Sequence, residues 1–356
     1  MSSVVRSLFR ISGCAVAFTL SFIAVCWAIR EQLPFQDVPL VRAKIEHFAE
    51  RHDGYDTLFL GSSRIYYQII PAIFDQLTAE AGRPTRTFNA AIAGMRPPED
   101  AFYLDTLLRT PPAHLRWVFI ELAGLRTAVD RDKIGTVRAV YWHDWERLCL
   151  LFQRALYIKP DTKKRKWRQT LKNQVEPLQE FGAHLALFLQ HQTNFGRGTI
   201  LSSQLISRRQ PRPKGSGGPL GDDRSGWVPT GRPEVMAGTQ LADFNEALAA
   251  RRAQKPVGDE LDPISQQALE IMIEKIEKLG ATPVLIVPPT TNRRNFIPTA
   301  ERAKKTLVLD FCDLEKYPEL YEHRYRLDTD HLNTEGAAIF TRLFARTWLE
   351  AQSRRP

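Results

Sequence analysis

The sequence predicts an α/β fold, a parallel sheet covered by helices on both faces. Three observations point to it. Short, almost uninterrupted apolar runs at residues 57–60, 117–122 and 283–287 have the character of strands buried on both faces. Stretches with helical spacing alternate with them, which is the pattern of strand–helix–strand units in a parallel sheet. The rhythm stops after Asp130 and returns at Pro263, so a mainly helical insertion interrupts one domain.

Taken in order, residues 11–29 carry no charge, follow Arg6 and Arg10, and precede Arg30 and Glu31. That length nearly spans a bilayer. Bulky Trp27 and Ile29 crowd the place where a signal peptide would need small residues, so an uncleaved transmembrane helix over residues 1–30 is expected. Ile11-Ser12-Gly13-Cys14 has the look of a lipid-attachment box, but Arg10 leaves no apolar segment upstream of it. Positive charge before the span keeps the short N-terminus cytoplasmic and exports the rest, a bias diluted by Arg30, Arg42 and Lys44. In a bacterium this is a single-pass inner-membrane protein with its C-terminal domain in the periplasm.

Residues 31–135 form the first part of the core. Val41, Ile45 and Phe48 give helical spacing over 40–50, and a strand over 55–60 ends at Gly61. Pro71 opens a helix through Glu80 that Gly82 stops. A strand at 86–90, a helix at 99–108 and the strand at 117–122 follow. The insertion, residues 136–262, has helical stretches at 142–156 and 167–189 and an Arg-, Pro- and Gly-rich loop at 207–233. Its basic run, Lys163, Lys164, Arg165, Lys166 and Arg168, is either a solvated helix face or a contact for lipid phosphates or an acidic glycan. Residues 263–356 complete the core with a helix at 263–279, strands at 283–287 and 306–310, and a helix capped near Asn333 or Thr334.

The 356 residues, 43% hydrophobic and 25% charged, rule out wholesale disorder and a polytopic membrane protein. Net charge +9 favours anionic surfaces. No helix-turn-helix, zinc or RNA-binding signature supports nucleic acid. Cys14 and Cys26 fall in the apolar segment, leaving Cys149 and Cys312 as separate thiols or one bridge, with no metal site or organic cofactor indicated.

Chemistry enters with Gly61-Ser62-Ser63-Arg64, which closes a strand at the sheet edge where ligands of open α/β folds bind. A serine hydroxyl attacks only when an imidazole takes its proton and a carboxylate orients the imidazole. Asp328-Thr329-Asp330-His331 supplies both groups. A carboxylate three residues before a histidine reaches Nδ1 through a tight turn and leaves Nε2 free, although spacing alone leaves Asp330 as an alternative. A loop serine and a helix-cap aspartate beside a surface histidine would look similar.

These segments resemble, in order, the blocks of the SGNH (GDSL-type) hydrolase/acyltransferase superfamily. Gly61-Ser62-Ser63 is similar to its first block, with Ser63 at the nucleophile. Asn89-Ala90-Ala91-Ile92-Ala93-Gly94 resembles the second, whose glycine, here Gly94, gives a backbone N–H to the oxyanion hole beside that of Ser63. Asp328 and His331 match the last block, and Pro288-Pro289 also fits. The third block departs, reading Glu121-Leu122-Ala123-Gly124-Leu125-Arg126 where the family carries an asparagine. Arg64 and Arg126 are the candidate replacement donors, with Asn89 a supporting residue. The anchor and the Gly-Ser-Ser-Arg variant are most similar to membrane-attached envelope O-acetylation and D-alanine transfer proteins. The resemblance implies a serine esterase or O-acyltransferase acting on an envelope polysaccharide, with a membrane-bound O-acyltransferase as partner. Its rivals are a noncatalytic glycan-binding or scaffolding member of that fold and a tethered binder of anionic polymers.

Overall fold

The computed structural model describes residues 3–129, 134–157, 167–197, 218–230, 236–253, 259–291, 296–297 and 301–354. Among them the elements run α1 (Ser3–Ala28), α2 (Pro39–Arg51), β1 (Thr57–Leu60), α3 (Ser63–Tyr66), α4 (Pro71–Glu80), β2 (Thr87–Asn89), α5 (Glu99–Leu107) and β3 (Trp117–Glu121). Then come α6 (Val137–Val140), α7 (Trp145–Leu156), α8 (Trp167–Gln192), α9 (Gly238–Ala253), α10 (Pro263–Lys278), β4 (Thr282–Val287), α11 (Glu301–Lys305), β5 (Leu307–Asp310) and α12 (Thr334–Ser353). Among the described residues five 3₁₀ turns lie in the connections, two before β1 and three from residue 218 onward. A two-residue parallel ladder joins Asp259–Glu260 to Phe296–Ile297.

The chain divides into two compact units. The larger, residues 39–126 and 214–356, is built on a five-stranded parallel sheet in the order β2-β1-β3-β4-β5. Successive strand residues point to opposite faces, so the all-apolar strands bury two layers. On one face Phe59, Phe119, Val284 and Ile286 pack with Phe74 of α4, Phe244 of α9, and Phe340, Phe344 and Trp348 of α12. Phe59 stacks on Phe119 at 4.4 Å. Leu58, Leu60, Val118, Ile120 and Leu285 point the other way and are equally buried, toward α2, α5 and α10.

Local signals explain the boundaries. Pro71 and Pro263 stand at the first turn of α4 and α10, where a missing N–H costs nothing, and Asp262 caps α10 by accepting from the N–H groups of Ile264 and Ser265. Asn333 caps α12 by accepting from Gly336 N–H at 2.9 Å. A side chain at Gly336 would meet the Tyr325 carbonyl oxygen at 2.3 Å, so the close approach of that loop to α12 requires glycine.

The smaller unit comprises residues 1–38 and 127–213. α1 is long and apolar enough to cross a membrane. Its exit is tied to the end of α8: Arg30 donates to the His191 carbonyl at 2.8 Å and to Asn194 Oδ1 at 3.3 Å, and Asn194 Nδ2 donates to the Cys26 carbonyl at 2.6 Å. α7 and α8 form an antiparallel hairpin, since Trp145 meets Phe188 and Phe152 meets Phe181. Inside it His143 Nε2 lies 2.9 Å from His184 Nδ1, and His184 Nε2 donates to the Thr127 carbonyl at 2.9 Å. Burial pushes the pKa of His143 down to about 2 and that of His191 to about 3, so both imidazoles are neutral.

The expected insertion, residues 136–262, is therefore divided. Residues 214–262, with α9, belong to the sheet unit, because Phe244 and Leu248 join its core. The basic run at 163–166 lies outside the described residues, as does the side chain of Arg168, and so do residues 207–217 and 231–233 of the expected loop. All four cysteines are free: Cys312 is buried and Cys149 half-buried. Burial raises the Cys312 thiol pKa to about 12, which makes it inert.

Candidate active site

The sheet order reverses direction at β1 and β3, and the carboxyl ends of those strands open the crevice where ligands of such sheets bind. β1 stops at Gly61, and Ser63 begins the short helix α3. A side chain at Gly61 would strike Glu121 Oε2 at 2.6 Å and Ile65 at 2.6 Å, so glycine is what lets β3 deliver its carboxylate here.

Ser63 Oγ is 2.7 Å from His331 Nε2. His331 Nδ1 lies 2.9 Å from each carboxylate oxygen of Asp328, whose Oδ1 also accepts the N–H groups of Asp330 and His331, both at 2.8 Å. Burial raises the Asp328 pKa, but the hydrogen bonds from the imidazole and the two amides outweigh it and hold the carboxylate below its ordinary range. The three residues read from the sequence thus stand in one hydrogen-bonded chain. The choice between aspartates is also resolved, since Asp330 turns away and its Oδ1 accepts from the Thr290 hydroxyl.

The loop that carries Asp328 and His331 is closed by an antiparallel bridge between Arg326 and Leu332. Arg326 is fully buried; its Nε donates to the Leu320 carbonyl at 2.9 Å and its Nη1 to the Thr329 carbonyl at 3.2 Å, with the Tyr321 ring 4.9 Å away. Nothing in the local sequence marks this arginine as the pin of the loop.

Behind the serine, Glu121 is the residue that sequence reasoning treated only as a departure. Its Oε2 accepts the Ser62 N–H at 2.6 Å, and its Oε1 accepts the Ser62 hydroxyl at 3.1 Å and Arg64 Nε at 2.9 Å and Nη2 at 2.5 Å. Arg64 is therefore engaged with Glu121 rather than standing free as a donor to an oxyanion. The neighbouring carboxylate raises the guanidinium pKa against the burial that lowers it. Arg126 does not line the cleft either: its side chain is exposed and its N–H donates to the Pro97 carbonyl at 2.8 Å. Asn89 has a supporting position, its Nδ2 donating to the carbonyls of Ile65 and Ile69 at 3.0 and 2.8 Å, so that it fixes the turn after Ser63.

Gly94, with φ +75°, lines the same cleft as Ser63, Asp328 and His331. Among the described residues, neither the Ser63 N–H nor the Gly94 N–H donates to a protein acceptor. The cleft holds about 460 Å³ and is walled by Tyr66, Tyr67, Val228, Pro229 and Leu327. One wall comes from the segment 218–230, held by Trp227 Nε1 donating to the Tyr67 carbonyl at 2.9 Å and by Lys44. Lys44 is wholly buried, and its ammonium donates to the carbonyls of Asn89, Ala91 and Gly226 at 2.7, 2.8 and 2.7 Å. Burial lowers its pKa strongly, yet three acceptors for three N–H donors are the complement of the protonated form.

No protein-family model matches this sequence, and no curated protein matches it significantly. Among the described residues no cluster of His, Cys, Asp and Glu has the arrangement of a metal site.

Proposed function

We propose that this chain is a membrane-anchored serine esterase or O-acyltransferase of the SGNH type, exported to the periplasm and acting on acyl groups of an envelope polysaccharide. The single observation that carries the reading is the chain Ser63 Oγ–His331 Nε2, His331 Nδ1–Asp328, at 2.7 and 2.9 Å. That is the geometry for moving a proton off a hydroxyl.

In this reading Ser63 Oγ attacks the acyl carbonyl carbon and His331 Nε2 receives the hydroxyl proton. Asp328 orients the imidazole and offsets the charge it acquires. The N–H groups of Ser63 and Gly94 receive the oxyanion. His331 then returns the proton to the leaving oxygen, and the acyl-serine passes its acyl group to a sugar hydroxyl or to water. The family's third donor is not replaced by Arg64 or Arg126, and one missing donor costs about 3 kcal/mol of transition-state stabilisation. Two donors therefore suit a slower enzyme, or one whose substrate brings its own hydrogen bond. A membrane-bound O-acyltransferase would be the natural source of the acyl group.

A second reading has an observation of its own. The carboxylate of Glu121 stands at the end of β3 where the superfamily carries a neutral donor, as a noncatalytic glycan-binding or scaffolding member would tolerate.

Purified full-length chain in detergent should hydrolyse an acetyl ester and take a fluorophosphonate label. Both properties should vanish in Ser63→Ala and in His331→Ala. A folded wild-type protein inert in both assays would favour the binding reading instead.

A further inference from the structure

Outside α1, the exposed large apolar side chains among the described residues fall in the smaller unit, with Leu279 the exception. They are not scattered. On α8, Val175, Leu178, Leu185 and Leu189 recur at heptad-like spacing along one side, and on α7 Trp145, Phe152 and Leu156 do the same. Trp145 is 68% exposed and Leu156 53%. The aromatic pairs Phe152–Phe181, at 5.0 Å, and Trp145–Phe188, at 6.0 Å, join the two rows into one apolar face. A face of this extent marks a contact surface rather than chance exposure.

Its position identifies the occupant. The carbonyl of His191, one turn beyond Phe188, accepts from Arg30 at the exit of α1. The Trp145 end of the face is therefore fastened to the end of the apolar span, at the depth where tryptophan rings sit between headgroup and acyl chain. The sequence joining α7 to α8 carries Lys163, Lys164, Arg165 and Lys166, the sign of charge that anionic headgroups attract. Trp, Phe and Leu on one face, with a basic run in the sequence between the two helices, is the composition of a helix lying in a membrane interface. We infer that the α7–α8 hairpin rests with this face in the surface of the phospholipid bilayer that α1 crosses. The inference rests on the reading of α1 as a membrane span.

The test uses the full chain, its cysteines replaced by alanine, carrying one nitroxide at a time in vesicles of phosphatidylethanolamine and phosphatidylglycerol. Labels at Leu156→Cys, Leu185→Cys and Leu189→Cys should relax more with dissolved oxygen than with a water-soluble nickel chelate, as a label at Phe18→Cys in α1 should. Arg346→Cys, exposed on α12, should show the reverse. Nickel access at the three hairpin sites equal to that at Arg346→Cys, with Phe18→Cys still in hydrocarbon, would overturn the inference and leave the anchor intact. Three hairpin sites shielded from both reagents would overturn it in favour of a protein covering the face. Nickel access at Phe18→Cys would remove the span itself and the inference with it.

Discussion

The guanidinium of Arg64 meets the carboxylate of Glu121 at 2.5 Å, and the same carboxylate holds the N–H of Ser62, the residue before Ser63. The pair is nearly enclosed, with side-chain exposures of 14% and 3%. Removing one partner of such a pair leaves a buried charge uncompensated, which costs about 3–5 kcal/mol. Arg64→Met and Glu121→Gln should each lower the unfolding free energy from denaturant titration by that order. The double substitution should lose clearly less than the sum, and strictly additive losses would show that the two residues do not act together.

The two aspartates of the Asp-Thr-Asp-His segment should separate cleanly. Asp328→Asn removes the acceptor that fixes the imidazole tautomer, and ester hydrolysis should fall on the order of 10⁴-fold at unchanged fold. Asp330→Asn weakens the Thr290 contact without touching the imidazole and should leave most of the turnover. Steady-state rates on one acetyl ester decide it; equal losses in both variants would count against the assignment of Asp328.

Lys44 tests whether the segment bearing Val228 and Pro229 is a fixed wall. Lys44→Met leaves the buried carbonyls of Asn89, Ala91 and Gly226 without their donor, at about 1–3 kcal/mol for each unsatisfied group. Amide exchange should accelerate over residues 220–228 in this variant, while the amides of β3 stay protected.

The neutral imidazoles of the smaller unit predict its acid response. His143 and His191 have folded pKa values near 2 and 3, below the ordinary 6.5, so the unfolded state takes up protons first as pH falls. Their contribution to stability is whole above about pH 6.5 and drains between there and about pH 3. The slope is about 1.4 kcal/mol per pH unit for each imidazole that stays neutral only when folded. Exchange of α8 amides in the full chain, corrected for intrinsic rates, should rise steeply over that window. His143→Gln should flatten the rise.

Much of this arrangement is legible in the sequence because its signals are local. The apolar run at 57–60 and the helix expected at 263–279 correspond to Thr57–Leu60 and Pro263–Lys278, since strand burial and proline or aspartate capping act within a few residues. Ser63, His331 and Asp328 were found by residue type and spacing, and the structure brings them together. Glu121 was not found, because its value lies in the register of β1 against β3, which sets Gly61 beside it across a parallel pairing that the sequence does not specify. The expectation of Arg64 as a replacement donor fails for the same reason, since its guanidinium is taken by Glu121. The assignment of residues 214–262 to the insertion rests on the loss of strand–helix rhythm between Asp130 and Pro263, while their place follows from Phe244 and Leu248 meeting a core contributed by distant segments.

The hydroxyl of Ser63 and the imidazole that meets it are 268 positions apart in the chain. At a synthesis rate of 5–20 residues per second, roughly 13–54 s pass between the appearance of one and of the other. Through that interval the nascent chain displays a serine with no base beside it, as inert as any other hydroxyl. On the proposed reading the serine gains its base only when the loop at Asp328 and the helix behind it dock, so residues 328–353 set the moment at which the site is assembled.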